Sequence, residues 1–463
     1  MLLVYYIIPL SKRWLVLLTA NAAFYYIFYK DSWWLFLLTI LLSYTGAVLL
    51  SKTQGNLSKS LLIVSILLVT LPWFIFKTIN PSMFDTDSVI SSFLIAPLGI
   101  SFYTLQMIAY IVDVYNKKVE PQRNILKYTL FISFFPQLIQ GPIPRYEQLG
   151  QQLYDGHAFN ERKFTKGFCY IIWGFFLKLV IADKAVVIVN TVFDNYPSYV
   201  GLYIWIADFL YVIQLYADFL ACTILAKGVA SMFGIDIADN FRQPFMATSI
   251  SELWRRWHIS LSSWLRDYIY IPLGGSRKGK LRKFINLIIV FAISGFWHGT
   301  GFNYLVWGIS QAVFQIIGGY TTSFRDMIYS KLLVADNVRT NIKRTGTFLL
   351  FSVSVVIFRS DTLTDGLRFL KHMVWEFNPW ILFNDRLLTL GLSWKELLVL
   401  AIAILILIYV SRQHEHGISI SDQILNMRLP LRWAIYAVAI ISIMLFGTYG
   451  YGYKAQDFIY GAF

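Results

Sequence analysis

Long stretches of this chain carry no charge. Ser32–Ser51, Ser60–Phe76, Ser88–Val112, Leu397–Ser411 and Trp433–Tyr453 contain no Lys, Arg, Asp or Glu, and Phe284–Phe324 extends the pattern over 41 residues. Most of these runs reach the roughly 20 residues that a helix needs to cross the hydrocarbon core of a bilayer. Inside lipid every backbone N–H and C=O must be satisfied by the chain itself, which leaves helices or closed barrels. The apolar residues run continuously rather than in alternation, so the expected fold is all-α, a polytopic integral membrane helical bundle rather than a barrel. Composition agrees: 14% of the residues are charged and 57% hydrophobic, against about 25% charged in soluble domains. A surface so poor in charge has to face lipid.

The net charge of +14 is read as positive-inside loops, and no basic surface interleaved with aromatic residues stands apart from the helices to point to nucleic acid. The two cysteines, Cys169 and Cys222, lie in apolar surroundings and form neither a disulfide framework nor a metal spacing. The N-terminal MLLVYYIIPLSKRW has no basic residues ahead of its apolar part and no small-residue cleavage site, so it reads as the first membrane element. Neither a soluble module nor a convincing repeat interrupts the chain. Residues 1–463 are expected to form a single domain, with about eleven crossings and one or two re-entrant or interfacial helices.

Some segments depart from plain crossings. A polar loop, Lys77–Asp87, precedes a long span over Ser88–Tyr115. Phe131–Gln152 breaks an apolar run with three prolines and two glycines. It is a re-entrant or interfacial segment, or a crossing kinked at Pro136. Lys178, Asp183, Asp208 and Asp218 fall in or near apolar stretches. Such groups face the protein interior or a water-filled cavity, although Lys178 could equally snorkel to a loop edge.

Ser249–Asp267, SISELWRRWHISLSSWLRD, is expected as one helix. Trp254, Trp257, His258, Leu261 and Leu265 then share one face and Arg255, Ser262 and Arg266 another, which suits a helix at the membrane interface. Arg277–Lys283 follows with five basic residues in seven, which places that loop on the cytoplasmic side. His298 lies 15 residues beyond Lys283, about 22 Å along a helix. In a core about 30 Å thick it sits within the membrane, in the far half. Return through Asn303 to the basic segment Arg325–Arg344 makes a hairpin with GFWHGTG near its tip.

His298 is the only ionisable group in Phe284–Phe324 apart from the phenols of Tyr304 and Tyr320. An imidazole titrates near neutrality, and burial favours the neutral form that a general base requires. Gly295, Gly299 and Gly301 let backbones or a substrate approach it. The alternative is a structural histidine bonded to a neighbouring helix. His258 packs among aromatic residues, where function and plain packing are equally open. His157 and His372 lie among charges in expected loops. His414 and His416 alternate around Glu415 and share no helix face, so no metal site is expected. Gly274–Lys280 fits G-x-x-x-x-G-K, but Leu281 follows where a phosphate loop needs Ser or Thr, and no strand precedes it. There is no G-x-S-x-G elbow.

Taken together, these residues carry a resemblance. ELWRRWHISLSSWLRDYIYIPLGGSRKGKLRK followed by GFWHGTGFNYLVWG resembles the membrane-bound O-acyltransferase family, and within it the branch of alginate O-acetylation membrane proteins. A more distant likeness is to the D-alanyl transfer proteins of teichoic acid synthesis. LGISFYTLQMIAYIVDVY, FFPQLIQGPIPRYEQL, YADFLACTILAKGVASMFGIDIADNFRQPF, VIFRSDTLTDGLRFL and the terminal FIYGAF resemble other family blocks, densest over residues 90–375.

The resemblance implies a multi-pass protein of the inner, cytoplasmic membrane, with helices around a histidine-containing funnel or tunnel. It implies transfer of an acyl group, acetyl in this branch, to a hydroxyl. The family's intramembrane histidine matches His298 and its second histidine matches His258, as candidate catalytic residues. Trp297, Asp218, Arg256, Asp267, Gln140, Arg145 and Asn303, within the matching blocks, are candidate substrate-binding residues. No cofactor is permanently bound; acetyl-CoA or an acyl-carrier thioester is the cytoplasmic donor. The acceptor side holds a polysaccharide or a secreted or membrane-anchored acetyltransferase partner. Where relatives often read DFSGYSD, this chain has Asp218-Phe-Leu-Ala-Cys-Thr-Ile224, so only Asp218 carries over. Other functional classes are a transporter with a proton path through Asp218, Lys178 and His298, and a non-catalytic scaffold for a secreted enzyme. The transporter reading is weakened because no inverted repeat is visible.

Overall fold

A computed structural model describes residues 1–29, 32–78, 97, 99–375, 378–383 and 385–449. Most of the Lys77–Asp87 loop, the first part of the Ser88–Tyr115 span and the terminal FIYGAF lie outside the described residues. Among the described residues there are helices and no strands, as the continuous apolar runs require. Seven of the helices are long and apolar enough to cross a membrane.

The described chain divides into two compact units, one made of Met1–Ile171 and Cys222–Asp239, the other of Ile172–Ala221 and the residues from Asn240 on. The first unit begins with α1 (Leu2–Ile7), α2 (Arg13–Tyr29), α3 (Trp33–Leu50), α4 (Gly55–Thr78) and α5 (Ile100–Tyr115). Then come α6 (Ile125–Ser133), α7 (Phe135–Leu138), α8 (Tyr146–Asp155) and α9 (Glu161–Phe175). Lipid supplies no hydrogen bonds, so the polar groups of these apolar helices bond one another. Asn21 Nδ2 donates to Ser133 Oγ at 3.0 Å, Tyr128 Oη to Ser43 Oγ at 2.8 Å, and Gln106 Nε2 to the Phe131 carbonyl at 2.9 Å. The Pro-rich stretch is not a simple crossing: the helix stops at Ser133, and Pro136 lies in the first turn of the separate short helix α7. A proline starts a helix more readily than it continues one, because its missing N–H is an orphan there anyway.

In the second unit a π-helical turn, Phe176–Ala182, leads into α10 (Asp183–Phe193). Helix α11 (Leu202–Met232) follows, its residues up to Ala221 in this unit and those from Cys222 on in the first, and then the short helices α12 (Ile250–Arg256) and α13 (Ile259–Leu265). The antiparallel pair α14 (Lys280–His298) and α15 (Phe302–Tyr320) comes next. The remainder is α16 (Thr322–Lys331), α17 (Asp336–Arg359), α18 (Leu363–Trp375), α19 (Trp394–Glu415), α20 (Ile420–Leu425) and α21 (Leu429–Phe446). His372 therefore lies on helix α18 rather than in a loop, where an amphipathic LTDGLRFLKHMVW pattern overrides its charges.

The expected single helix over Ser249–Asp267 is corrected. It breaks at Trp257, which is extended, and His258, whose φ of +45° is left-handed. The break is set from a distance: the Asn240 carbonyl accepts from Ile259 N at 2.9 Å, and Asn240 Oδ1 accepts from Ser260 N at 3.0 Å and Ser260 Oγ at 2.9 Å. These bonds satisfy the exposed first turn of α13 in place of a helical continuation. The tryptophans do not line an outer face either. Trp254 and Trp257 are both buried.

Candidate active site

The hairpin expected around GFWHGTG is present. Helices α14 and α15 are joined by residues 299–301, and small residues bring them into backbone contact. A Cβ on Gly295 would stand 2.3 Å from the Tyr304 carbonyl oxygen, and one on Gly308 would stand 2.2 Å from that of Phe291. Only glycine fits either place. His298 is the last residue of α14 and is buried. Trp297, Trp307 and Phe358 stand edge-on to its imidazole, with centroids at 4.9, 5.3 and 5.3 Å. These rings pack around the imidazole on three sides.

His258 is also buried, at the N-terminus of α13 and outside the membrane-spanning helices. Its Nδ1 lies 3.4 Å from Asn240 Oδ1, and Phe219 meets its ring edge-on at 4.7 Å. Burial pushes its imidazole down to about 3, so the ring is held neutral. The Trp297 ring is 6.1 Å from His258 and 4.9 Å from His298, so one indole links the two candidate catalytic residues.

The other candidates separate into different roles. Asp218 is buried and accepts from Lys178 Nζ at 2.8 Å, while Asp183 takes the same ammonium at 3.0 Å. Lys178 thus turns inward instead of snorkelling. Arg256 is engaged by protein carboxylates: Glu415 receives Nη1 at 2.6 Å and Nη2 at 3.0 Å, and Glu252 receives Nε at 3.0 Å. The Glu415 carboxylate holds the Arg256 guanidinium above its usual value. Asp267 receives Arg266 Nε at 2.8 Å. Asn303 donates to the Ser360 carbonyl at 2.7 Å and so ties α15 to the end of α17. Gln140 and Arg145 belong to the first unit, Gln140 buried and Arg145 preceding α8. Among the described residues no group of three or more His, Cys, Asp or Glu is placed to hold a metal ion.

The second unit also holds a cavity of about 870 Å³ that no sequence motif marks. Arg242, Arg255, Arg266, Lys280 and Lys283 line it, and among the described residues no acidic side chain does. Its walls include Leu287, Val290, Phe291 and Ile316, and it reaches Ser294. Ser294 is one turn before His298 on the same face of α14. The basic rim had a signal in the Arg277–Lys283 run. Ser294, an isolated hydroxyl in an apolar stretch, had none. The arrangement offers positive charge, at Lys280 and Lys283 on the first turn of α14 among others, for an anionic group, apolar wall at Val290 and Phe291, and a buried imidazole one turn beyond Ser294.

Comparison with known proteins agrees with this architecture. The model of the membrane-bound O-acyltransferase family matches residues 22–359. A probable alginate O-acetylase of Pseudomonas putida is 36% identical over 64% of this chain and 59% of its own length. The corresponding protein of Pseudomonas aeruginosa is 31% identical over 81% of this chain and 72% of its own. A peptidoglycan O-acetyltransferase of Helicobacter pylori is 33% identical over 78% of this chain and 73% of its own. The chain spans between 54% and 59% of the length of several alginate O-acetylases that it matches. With seven helices among the described residues suited to crossing a membrane and a family match over most of its length, the chain is a multi-pass membrane protein and belongs to the membrane-bound O-acyltransferase family.

Proposed function

We propose that this protein is a membrane O-acyltransferase that moves an acetyl group from a cytoplasmic thioester donor to a hydroxyl at or beyond the outer face, for O-acetylation of an extracellular polysaccharide. The observation that carries this reading is one helix. Helix α14 lines a basic cavity at Lys280 and Lys283 and ends in buried His298. The named activities of the relatives from Pseudomonas and Helicobacter point to O-acetyl transfer. The matches to teichoic acid D-alanyltransferases are weaker, at 30% identity over 48% of the chain for that of Bacillus subtilis.

The donor is acetyl-CoA or an acyl-carrier thioester, whose phosphates suit the five cations around the cavity. His298 acts as general base on the attacking hydroxyl, a role that contributes about 10²–10⁴-fold. His258, held neutral, orients the reactants through the shared Trp297. Asp218 acts through its ion cluster and Arg256 through its carboxylate clamp, as positioning residues. The basic loops suit a cytoplasmic face, which supports an inner-membrane location for the chain. The acceptor is a polymer, or a secreted or anchored acetyltransferase partner that delivers to it.

The test is ester-linked acetate on the surface polymers of cells carrying His298→Ala, with membrane levels of the variant measured in the same cells. Loss of the esters with normal protein levels is the expected result. Wild-type ester content in that variant would falsify the assignment of His298.

A further inference from the structure

Two buried polar atoms of residues that line the cavity, Ser294 Oγ and Gln315 Nε2, have no hydrogen-bond partner among the described residues. Ser294 is 1% exposed. Helical serines commonly return their hydroxyl to a carbonyl of the preceding turn, and Ser310 and Ser354 in this unit do so, to Trp307 and Phe351, each at 2.6 Å. Ser294 does not. The carbonyl end of Gln315 is fixed, because Ser251 Oγ donates to its Oε1 at 3.1 Å. Its amide nitrogen is the end left over. Buried polar groups without partners are costly and rare, and each one in a native fold calls for an occupant or an explanation.

The two atoms stand at different depths. Ser294 is about 6 Å of helix rise before His298, and side chains on a helix lean toward its N-terminus, so the imidazole lies over the Ser294 turn. Gly308 packs on Phe291, and Gln315 follows seven residues later, about 10 Å nearer the Lys280 end of the hairpin. Between them the cavity wall is apolar, with Val290, Phe291 and Ile316. A ligand that satisfies both groups is long, thin and apolar, carries acceptor oxygens at two points, and is anionic at its outer end.

We propose that Ser294 and Gln315 bind two carbonyl oxygens of a single extended donor, Ser294 the thioester carbonyl and Gln315 an amide carbonyl in the arm behind it. This rests on the thioester-donor reading above. The acceptor oxygen bonds to the thioester carbon while His298 takes its proton. The carbonyl electron pair moves onto oxygen, and the Ser294 hydroxyl donates to that oxyanion. The carbon–oxygen double bond reforms as the carbon–sulfur bond breaks, and the departing thiolate takes the proton from His298. Ester and thiol are the products. Ser294 is then a catalytic residue and Gln315 a positioning residue.

The experiment follows thiol release from acetyl-CoA in membranes of the producing cells, which carry the natural acceptor, together with coenzyme A binding and thermal unfolding of the purified full chain. Ser294→Ala is expected to lower kcat by about 10²–10³-fold, with coenzyme A binding and Tm unchanged. Gln315→Leu is expected to raise KM for acetyl-CoA about tenfold with kcat held, the pattern of lost uniform binding. Wild-type kcat in Ser294→Ala overturns the proposal. So does a parallel fall in coenzyme A binding and Tm, which marks a structural hydroxyl. If the wild-type protein neither binds coenzyme A nor releases thiol from its acetyl ester, the donor reading itself fails and this inference falls with it.

Discussion

Glu415 accepts from both terminal nitrogens of Arg256, at 2.6 and 3.0 Å. Arg256 ends α12, two residues before the left-handed His258, so this fork anchors the turn that aims His258. Arg256→Ala is predicted to destabilise the protein by about 1.5–3 kcal/mol, the range for hydrogen bonds to charged groups. Arg256→Lys keeps the charge but loses the fork and is predicted to fall between. Thermal unfolding in detergent measures both, and an unchanged Tm in Arg256→Ala would show that the fork is idle.

The same junction gives an acid dependence. Burial raises the Glu252 carboxyl, but the Thr248 N–H and hydroxyl and the Arg256 guanidinium outweigh it, leaving Glu252 below its ordinary 4.5. A depressed carboxyl binds fewer protons in the fold than in the unfolded chain. Its stabilisation is therefore complete above about pH 4.5 and is lost as pH falls through the lower folded value. Wild type is predicted to lose more Tm than Glu252→Gln between pH 6 and about pH 3. Parallel curves would remove Glu252 from the account.

Gly308→Ala is predicted to force α14 and α15 apart, because its Cβ would meet the Phe291 carbonyl oxygen at 2.2 Å and Gly295 Cα at 3.2 Å. The cost is about 1–3 kcal/mol of overpacking, and His298 moves with the hairpin, so the proposed acetyl transfer is expected to fall too. Gly318, on the same helix, has nothing within 4 Å of its would-be Cβ. Gly318→Ala should be neutral or stabilising by up to about 1 kcal/mol. Equal behaviour of the two variants in activity and Tm would contradict the packing argument.

The Lys178–Asp218 bond is buried, with side chains 11% and 2% exposed. Asp218→Asn removes the carboxylate at 2.8 Å, but Asp183 still holds the ammonium at 3.0 Å, so the predicted cost is about 1–3 kcal/mol, that of losing a buried hydrogen bond to a charged group. The exposed Lys163–Asp236 pair, at 41% and 68%, supplies the contrast, with Asp236→Asn costing under about 1 kcal/mol. Chemical or thermal unfolding of the two variants side by side gives the comparison.

The apolar runs announced the helices, and the charge-free stretch around His298 announced the hairpin, because lipid leaves the backbone few options. The break at His258 was hidden. ELWRRWHISLSSWL keeps helical periodicity throughout, and the groups that interrupt it sit on Asn240, 18 residues upstream of His258. Lys178 and Asp218 were visible as charges out of place, but not as partners across 40 residues. The sequence around Arg256 likewise carries no sign that Glu415, 159 residues away, holds its guanidinium. Each of these is a tertiary pairing, and local pattern carries no information about which distant residue completes it.

Helix α14 has cations at its first turn and a histidine at its last, with 19 residues in all. Such a rod measures. If the donor's anionic head docks at the rim while its reactive carbon waits at the far end, the count of residues between Lys280 and His298 sets how long the donor must be. Inserting one alanine would swing His298 about 100° around the axis, whereas inserting four would bring it back to within about 40° of its bearing, one turn too far along. The length of a single helix would then act as a gauge of the molecule it serves.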